Sequence, residues 1–259
     1  MPASLRFRTP RVIVALILRE MGTAHGRTAA GYLWAILEPV AGIALLTLVF
    51  SLALRSPPLG TSFALFYATG MLPFTSYMST WNKVATAVTF SRQLLVYPRV
   101  TFFDAVVARF LLNAVTQTLV AYIVITGVLL LQDTRAVLDF TSIAAAYAMA
   151  LALGFGVGAI NCVLFAMVPS WQRVWAITNR PIFFVSCIFY TFESLPDVAQ
   201  DILWWNPLVH IIGVMRSGFY PTYTADYASP TYVLVVSGVL AAFGLHFLRR
   251  YHKKILNEL

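Results

Sequence analysis

The sequence carries little charge. Asp, Glu, Lys and Arg make up 11% of its 259 residues, whereas 59% of the residues are hydrophobic. Soluble globular proteins carry about 25% charged residues, because a chain with fewer cannot keep its surface hydrated. The composition therefore excludes a soluble domain and predicts an integral membrane protein.

The motifs of common enzymes are also missing. The chain has no GxxxxGK[ST] phosphate loop, no HExxH and no GxSxG, so it does not bind and hydrolyse ATP through a P-loop. Its four histidines are scattered, and none shares a predicted helix face with another ligand type. We therefore expect no catalytic residue, no metal site and no cofactor on this chain.

Cysteine is scarce as well. Cys162 and Cys187 lie inside apolar runs and form no CxxC pair. They are predicted to be small buried hydrophobic residues rather than disulfide partners or metal ligands.

Long apolar runs are what the sequence has in abundance. A membrane-spanning helix needs about 20 mostly apolar residues. Six spans are predicted, at residues 33–54, 63–81, 103–131, 141–168, 181–205 and 231–248. The apolar run at 181–192 is too short to cross alone. It must either borrow residues 174–180 or form one limb of a split, re-entrant hairpin completed by 198–205, which is tolerated where protein or water surrounds it.

The distribution of charge predicts the orientation. The net charge is +8, and fourteen of the eighteen Lys and Arg residues fall at the two termini and in the loops after spans two and four. The opposite side has three, Arg55, Arg135 and Arg216. Because Lys and Arg accumulate in cytoplasmic loops, both termini are predicted to be cytoplasmic. The basic charge is thus explained by membrane orientation, and nucleic-acid binding is not expected.

An amphipathic helix is predicted before the first span. Arg8, Arg11, Arg19 and Arg27 fall on one helical face with apolar residues opposite, a pattern typical of a helix lying in the membrane interface. A simple membrane anchor and a gate whose arginines meet an anionic lipid headgroup both remain open. The predicted organisation is a cytoplasmic N-terminus (1–30), a transmembrane domain (31–250) and a cytoplasmic tail (251–259).

Three ionisable residues fall within the predicted spans. They are Glu38, Asp104 and Arg109, and such residues are candidates for function by default. Pro39 predicts a break or restart of the first span beside Glu38. A structural hinge and a substrate contact both remain open for Glu38.

Small residues recur every four positions in span four. Ala146, Ala150, Gly154, Gly158 and Cys162 form a stripe that allows a second helix to approach closely. We favour packing over a substrate groove. Whether the partner helix belongs to the same chain or to a second copy stays open.

Several motifs are similar to those of a known family. Residues 31–39, GYLWAILEP, preceded by Arg27, resemble the LGYLWALLEPL signature of ABC-2 type exporter permeases, specifically the capsular polysaccharide exporters (the KpsM family). Residues 95–100 resemble the coupling segment of that family. Residues 206–210, NPLVH, with Arg216 resemble its NPLxHxxExxR region, although Gly213 stands where an acid is expected.

This resemblance, which covers essentially the whole chain, implies an ABC-2 (type V) exporter fold. It further implies a homodimer working with two separate ATP-binding cassette subunits that hold ATP and Mg²⁺. The complex would export lipid-linked acidic polysaccharide across the bacterial inner membrane. A periplasmic co-polymerase and an outer-membrane exporter would carry the glycan onward.

The same resemblance, together with the charge pattern, suggests functional residues. By analogy, residues 82–99 contact the ATPase, the helix at 8–27 gates the cytoplasmic entrance, and 181–205 form re-entrant helices at the periplasmic exit. Candidate ATPase-coupling residues are Lys83, Arg92, Leu95, Tyr97 and Arg99. Candidate substrate-path residues are Arg19, Arg27, Tyr32, Trp34, Glu38, Tyr67, Phe74, Arg99 and Arg109.

Two alternatives remain at this stage. An O-antigen or teichoic-acid exporter permease shares the architecture, and a membrane-embedded transferase acting on lipid-linked sugars belongs to a different class.

Overall fold

The computed structural model describes residues 8–24, 30–95, 100–132, 134, 136–168 and 170–258. Within these ranges, the side chains of residues 8–9, 23–24, 30–32 and 252–258 are not described. Every regular element in the described ranges is helical. The all-α prediction is therefore confirmed for this part of the chain.

Short helices separate longer ones along the chain. The α-helices are α1 (Arg8–Ala24), α2 (Ala30–Ala53), α3 (Phe63–Ala85), α4 (Ala87–Phe90), α5 (Arg92–Leu95), α6 (Phe102–Leu131), α7 (Phe140–Met167), α8 (Trp171–Thr178), α9 (Asp197–Leu203), α10 (Pro207–Ser217) and α11 (Pro230–Glu258). Two 3₁₀ segments, Pro181–Ser186 and Phe192–Ser194, lie between α8 and α9.

Four helices in the described ranges are long and apolar enough to cross a membrane. The four apolar spans are Leu33–Ala53 in α2, Phe102–Leu131 in α6, Phe140–Met167 in α7 and Pro230–Tyr251 in α11. Helix α3 has 23 residues but is less apolar, because it carries several serine and threonine residues. Most of its side chains are buried by neighbouring helices, so its polar groups are covered by protein.

Helix α2 is continuous through Pro39. The predicted break at this proline is therefore wrong. Proline removes one backbone hydrogen bond, but in apolar surroundings the other backbone groups have no water to bond with and stay in the helix.

Polar caps fix the starts of two long helices. The Thr101 hydroxyl accepts a hydrogen bond from the Asp104 backbone N–H, and the Asp104 carboxylate accepts from the Thr101 N–H, which forms a capping box at α6. Asp139 caps α7, and hydrogen bonds from Ser142 and Thr141 hold the pKa of its carboxyl below the ordinary value. The role of Asp104 in this cap explains why a charged residue falls within the predicted span 103–131.

Helix α3 lies at the centre of the bundle. It packs against α2, α6, α7 and α10, while α11 packs along α7 and α1 packs against α6. Three apolar clusters follow one another along α3, and they include Tyr67, Tyr77 and Val84 respectively. The core is thus one continuous column around this helix.

The small-residue stripe of α7 packs within the chain. A Cβ added at Gly154 would come within 2.7 Å of Thr80, and one added at Gly158 would come within 2.8 Å of the Trp81 carbonyl oxygen. Both contacts are with α3, so glycine is required here for the close approach of two backbones. The partner helix of the stripe at Gly154 and Gly158 therefore belongs to the same chain.

The predicted fifth span is broken into short pieces. Cys187, between the two 3₁₀ segments, adopts a left-handed backbone conformation with φ 60°. Side chains hold three backbone carbonyls of this segment, because Arg216 donates to the carbonyls of Ile188 and Tyr190 at 2.9 and 2.8 Å and Asn206 donates to that of Val185 at 3.0 Å. Irregular backbone is therefore satisfied by protein groups here.

Both cysteines are buried and form no disulfide. Cys162 lies in a cluster with Val84 and Val106, and Cys187 packs with Phe192 and Val209. The prediction that they are small buried hydrophobic residues is confirmed.

Candidate functional site

A cavity of about 420 Å³ lies among α1, α2, α3 and α6. We call it the polar cavity, since charged, amide and hydroxyl side chains make up much of its wall. Its lining residues are Glu20, Trp34, Ala35, Glu38, Pro39, Thr75, Met78, Ser79, Trp81, Asn82, Lys83, Arg109, Leu112, Asn113, Thr116 and Gln117.

Helical spacing places these polar residues on one wall. On α6, Arg109, Asn113, Thr116 and Gln117 occur at i, i+4, i+7 and i+8, which puts them on a single face. The lining residues of α3 between Thr75 and Lys83 repeat the same spacing. Two otherwise apolar helices thus turn matching polar stripes toward each other.

Asn113 joins the two stripes. Its Nδ2 donates to Thr80 Oγ1 at 2.9 Å, and its Oδ1 accepts a hydrogen bond from Ser79 Oγ at 2.7 Å. Asn113 and Thr80 are both buried. Because a polar group in an apolar interior must find a partner, this pair of bonds fixes α3 against α6 beside the cavity.

Arg109 connects the cavity to the N-terminal helix. Its Nε donates to Glu20 Oε1 at 2.9 Å, and its Nη1 donates to the backbone oxygen and the hydroxyl of Thr86 at 3.0 and 3.2 Å. The guanidinium also lies 4.3 Å from the ring centre of Phe90. The Arg109 and Glu20 side chains are only 7% and 6% exposed, so this is a buried ion pair that anchors α1 to α6.

Helix α2 forms the opposite wall. Trp34 and Glu38 are exposed at the cavity, and Pro39 is buried beside them. Proline has no N–H to donate to the carbonyl of Ala35, four residues earlier. Ala35 lines the same wall.

The wall chemistry is suited to binding. Arg109 and Lys83 offer positive charge, two glutamates offer negative charge and one of them is paired with Arg109, the amides and hydroxyls offer both donors and acceptors, and the Trp34 and Trp81 rings offer flat apolar faces. Such a mixture can hold an anionic group together with the hydroxyls and C–H faces of a sugar.

Four of the predicted residues meet at the polar cavity. Trp34, Glu38 and Arg109 were predicted as substrate-path residues, and Lys83 was predicted as an ATPase-coupling residue. Arg19 lies next to Glu20 on the exposed side of α1, where it lines a small pocket that shares Arg109.

Two predicted path residues lie elsewhere. Tyr67 is fully buried against the rings of Phe66 and Phe50. Phe74 is buried against Tyr77 and Phe183. Neither lines the polar cavity.

Two of the remaining candidates lie on α5. Arg92 is exposed on α5, and Leu95 is buried in the cluster around Val84. Arg27, Tyr97 and Arg99 lie outside the described residues, as does the side chain of Tyr32.

Sequence reasoning missed Glu20, Asn113 and Gln117 as cavity residues. The signal for the α6 residues was present, because polar side chains recurring at helical spacing in an apolar span mark a face that avoids lipid. Glu20 had no such signal. It meets Arg109 only through folding, since the two residues are 89 positions apart.

In the part of the chain that the structure describes, every regular element is helical, and two of the long apolar helices, α2 and α6, line the polar cavity. The family profile described as ABC-2 type transporter matches residues 11–220. The chain therefore belongs to the ABC-2 type transporter family.

Within this family, the chain is similar to several individual transport proteins. The chain is 30% identical over 253 residues to the polysialic acid transport protein KpsM of Escherichia coli, covering 97% of this chain and 98% of KpsM. It is 25% identical to the capsule polysaccharide export inner-membrane protein CtrC of Neisseria meningitidis, covering 95% and 92%. For the corresponding protein BexB of Haemophilus influenzae the identity is 23%, with coverage of 95% and 92%.

Proposed function

We propose that this chain is the membrane-spanning permease subunit of an ABC transporter that exports lipid-linked capsular polysaccharide across the bacterial inner membrane. The observation that carries the proposal is the end-to-end similarity to KpsM. The names of the CtrC and BexB relatives also specify capsule polysaccharide export and the inner membrane. They favour capsule over the O-antigen and teichoic-acid alternatives.

The proposed topology has six crossings with both termini in the cytoplasm. The crossings are α2, α3, α6, α7, the broken segment 181–205 and α11. Segment 181–205 begins on the cytoplasmic side after α7 and ends on the periplasmic side, where its short re-entrant helices form the proposed exit. The unequal distribution of Lys and Arg supports this orientation. Burial of α3 by its neighbours supports counting it as a crossing despite its hydroxyl groups.

In this proposal, α1 lies in the cytoplasmic membrane interface. Val14, Leu18 and Met21 are exposed along one side of the helix, and Arg11 and Arg19 are exposed as well. Apolar side chains exposed together with basic ones suit a helix that contacts both acyl chains and anionic headgroups.

Energy for transport comes from a separate subunit in this proposal. The sequence has no phosphate-binding loop of its own, so ATP and Mg²⁺ bind to a partner. Two copies of the permease would pair with two ATP-binding cassette subunits, docking near α4 and α5, where Arg92 is exposed. A co-polymerase and an outer-membrane exporter would complete the export route.

The polar cavity is the proposed cytoplasmic entrance. Arg109 and Lys83 attract the phosphate and acidic sugars of the substrate, and the tryptophan rings can stack on sugar faces. Anchoring of α1 through the Glu20–Arg109 ion pair supports a gating role for this helix.

The test replaces the resident permease of a capsule-forming bacterium with this chain and its own ATP-binding subunit. We expect capsular polysaccharide to reach the cell surface. Arg109→Ala and Arg27→Ala should lower surface polysaccharide and raise the intracellular amount, with normal permease in the membrane fraction. Arg55→Ala, which removes an exposed loop arginine, is the matched control and should export normally.

Two results would count against the proposal. Intracellular retention of polysaccharide despite normal membrane levels of the wild-type chain and its ATPase would contradict the function. Wild-type export by the Arg109→Ala variant would remove the polar cavity from the substrate path.

A further inference from the structure

Glu20 is the buried residue that attaches α1 to the bundle. Of the described side chains of α1, Glu20 alone is buried. The other members of the same helix face are half-buried, and they are Val12, Ile13, Leu16 and Ile17. The helix is therefore held by a shallow apolar face and by the ion pair of Glu20 with Arg109, whose Oε1 and Nε atoms are 2.9 Å apart.

Arg109 does not depend on α1 for its position. Its Nη1 donates to the backbone oxygen and the hydroxyl of Thr86, and its guanidinium lies 4.3 Å from the ring centre of Phe90. Thr86 caps the end of α3 and Phe90 ends α4, so neither residue belongs to α1. The guanidinium therefore keeps its place when α1 moves away, and the Nε donor that Glu20 occupied becomes available.

The charge of the polar cavity changes when α1 leaves. Among the described lining residues, Glu20 and Glu38 balance the charges of Lys83 and Arg109. Departure of α1 removes Glu20 and leaves two basic residues against one acid. Arg109 would then be a buried cation without its partner, which is strongly unfavourable. An anion that takes the place of Glu20 restores the pairing.

We propose that Glu20 makes opening of the cytoplasmic entrance depend on an anionic group of the substrate. Its carboxylate occupies the position on Arg109 that a phosphate or the carboxylate of an acidic sugar takes, so α1 moves aside when such a group binds. A ligand shifts an equilibrium only if it binds one state better, and the anion binds the state in which Glu20 has left. This role of Glu20 rests on the proposed function, in which the polar cavity is the entrance.

A thiol at position 91 reports whether α1 is in place. Ser91 is 5% exposed, and together with Leu16 and Glu20 it lines a small pocket between α1, α4 and α6. Ser91→Cys conserves the size of the side chain and puts a thiol where α1 covers it. Cys162 and Cys187 are buried, so they do not compete for the reagent.

The test measures how fast this thiol reacts in the purified full-length chain in phosphatidylcholine nanodiscs. The reagent is an uncharged, water-soluble maleimide, and the labelled residue is located by mass spectrometry. We expect Glu20→Gln to speed the labelling at least about ten-fold, because an amide cannot neutralise Arg109. Glu20→Asp retains the charge and should label more slowly than Glu20→Gln.

Matched controls separate release of α1 from other changes. Asp226→Asn removes one acid from an exposed loop and should leave the labelling rate unchanged. A thiol placed by Leu18→Cys on the exposed side of α1 should react equally fast with and without Glu20→Gln, which shows that the reagent itself is unaffected.

Added anions should release α1 when Glu20 is present. Inorganic phosphate or the acidic sugar trimer trigalacturonate should raise labelling of Ser91→Cys several-fold. The neutral trimer maltotriose, and sodium chloride at the same ionic strength, should not. With Glu20→Gln the labelling is already fast, and neither anion should raise it further. A response to one anion alone supports the proposal and identifies the group that replaces Glu20.

Three results would overturn the proposal. Equal labelling with and without Glu20→Gln would mean that the apolar face alone holds α1. Equal acceleration by sodium chloride would mean general screening of the ion pair, and acceleration by maltotriose would mean that no charge is required. Export with labelling that ignores anions contradicts the role of Glu20 alone, whereas anion-dependent labelling without export contradicts the proposed function.

Discussion

At the scale of single residues, buried polar side chains make contacts that the sequence pattern does not reveal. Arg216 is fully buried, and its guanidinium lies 4.2 Å from the ring centre of Phe66 while it donates to two backbone carbonyls. The sequence marks this arginine through a family motif and as a cation on the side opposite the termini, and neither feature shows its contacts. Its role as the residue that holds the broken segment together depends on contacts with residues 26 and 28 positions away.

Replacing Arg216 with lysine should destabilise the folded protein. A single ammonium group cannot both reach the carbonyls of Ile188 and Tyr190 and stack on Phe66 as a planar guanidinium does. An unsatisfied buried carbonyl costs about 1–3 kcal/mol, so we expect a lower unfolding temperature in detergent. Arg55→Lys, at an exposed loop position, is the control, and equal unfolding temperatures for both variants would contradict this role.

His210 should make stability depend on pH. Its Nδ1 accepts a hydrogen bond from the Ser229 N–H at 3.2 Å, and its Nε2 lies 2.6 Å from the Trp204 carbonyl oxygen. The ring therefore fits as the neutral form that carries its proton on Nε2. Burial lowers the pKa of His210 below its ordinary value, against a smaller opposing effect of the bond to Trp204.

The sign of the effect follows from this lowered pKa. Unfolded histidine has a pKa of about 6.5, so the unfolded chain takes up the proton first as the pH falls. Stability from His210 is thus fully present above about pH 7 and decreases below about pH 6.5. Unfolding temperatures at about pH 7.5 and about pH 5.5 measure this difference. His210→Gln should reduce it, whereas His246→Gln, an exposed position on α11, should retain it; an unchanged difference in His210→Gln would refute the assignment.

At the scale of elements, helix positions were largely predictable and their contacts were not. The predicted segment 103–131 corresponds to α6 at Phe102–Leu131, and 141–168 corresponds to α7 at Phe140–Met167. The apolar runs set these bounds because they end at capping or loop residues. Two features escaped prediction. Pro39 does not interrupt α2, and α11 continues to Glu258, beyond the apolar run that ends at 248.

Close packing of α3 and α7 should be sensitive to a single methyl group. In Gly158→Ala the new Cβ would come within 2.6 Å of Val84 Cβ and 2.8 Å of the Trp81 carbonyl oxygen. Because a backbone carbonyl cannot move aside, we expect a loss of about 1–3 kcal/mol in the free energy of unfolding. Gly238→Ala, at an open position, should instead be neutral or more stable by about 0.5 kcal/mol. Unfolding in denaturant measures both, and equal effects would contradict the packing argument.

At the scale of the whole molecule, composition and charge were enough to predict a membrane protein, and motif similarity was enough to predict its family. The polar cavity could not be predicted as a unit. Its wall comes from residues 20, 34–39, 75–83 and 109–117, and only the folded arrangement brings these four segments together. The sequence also could not show which aromatic side chains line the cavity and which, like Tyr67, are buried in the core, because a central helix buries aromatic rings on several faces.

In the proposed function, this chain moves a lipid-linked acidic polysaccharide through a path that includes the polar cavity. The most direct measurement is ATP-dependent transfer of that lipid-linked glycan across proteoliposomes containing the chain and its ATP-binding subunit, detected by protection of the glycan from an external glycosidase. We expect transfer by the wild-type chain and by Arg55→Ala, and little transfer by Arg109→Ala at equal reconstitution. Equal transfer by all three, or ATP hydrolysis without any transfer by the wild-type chain, would contradict it.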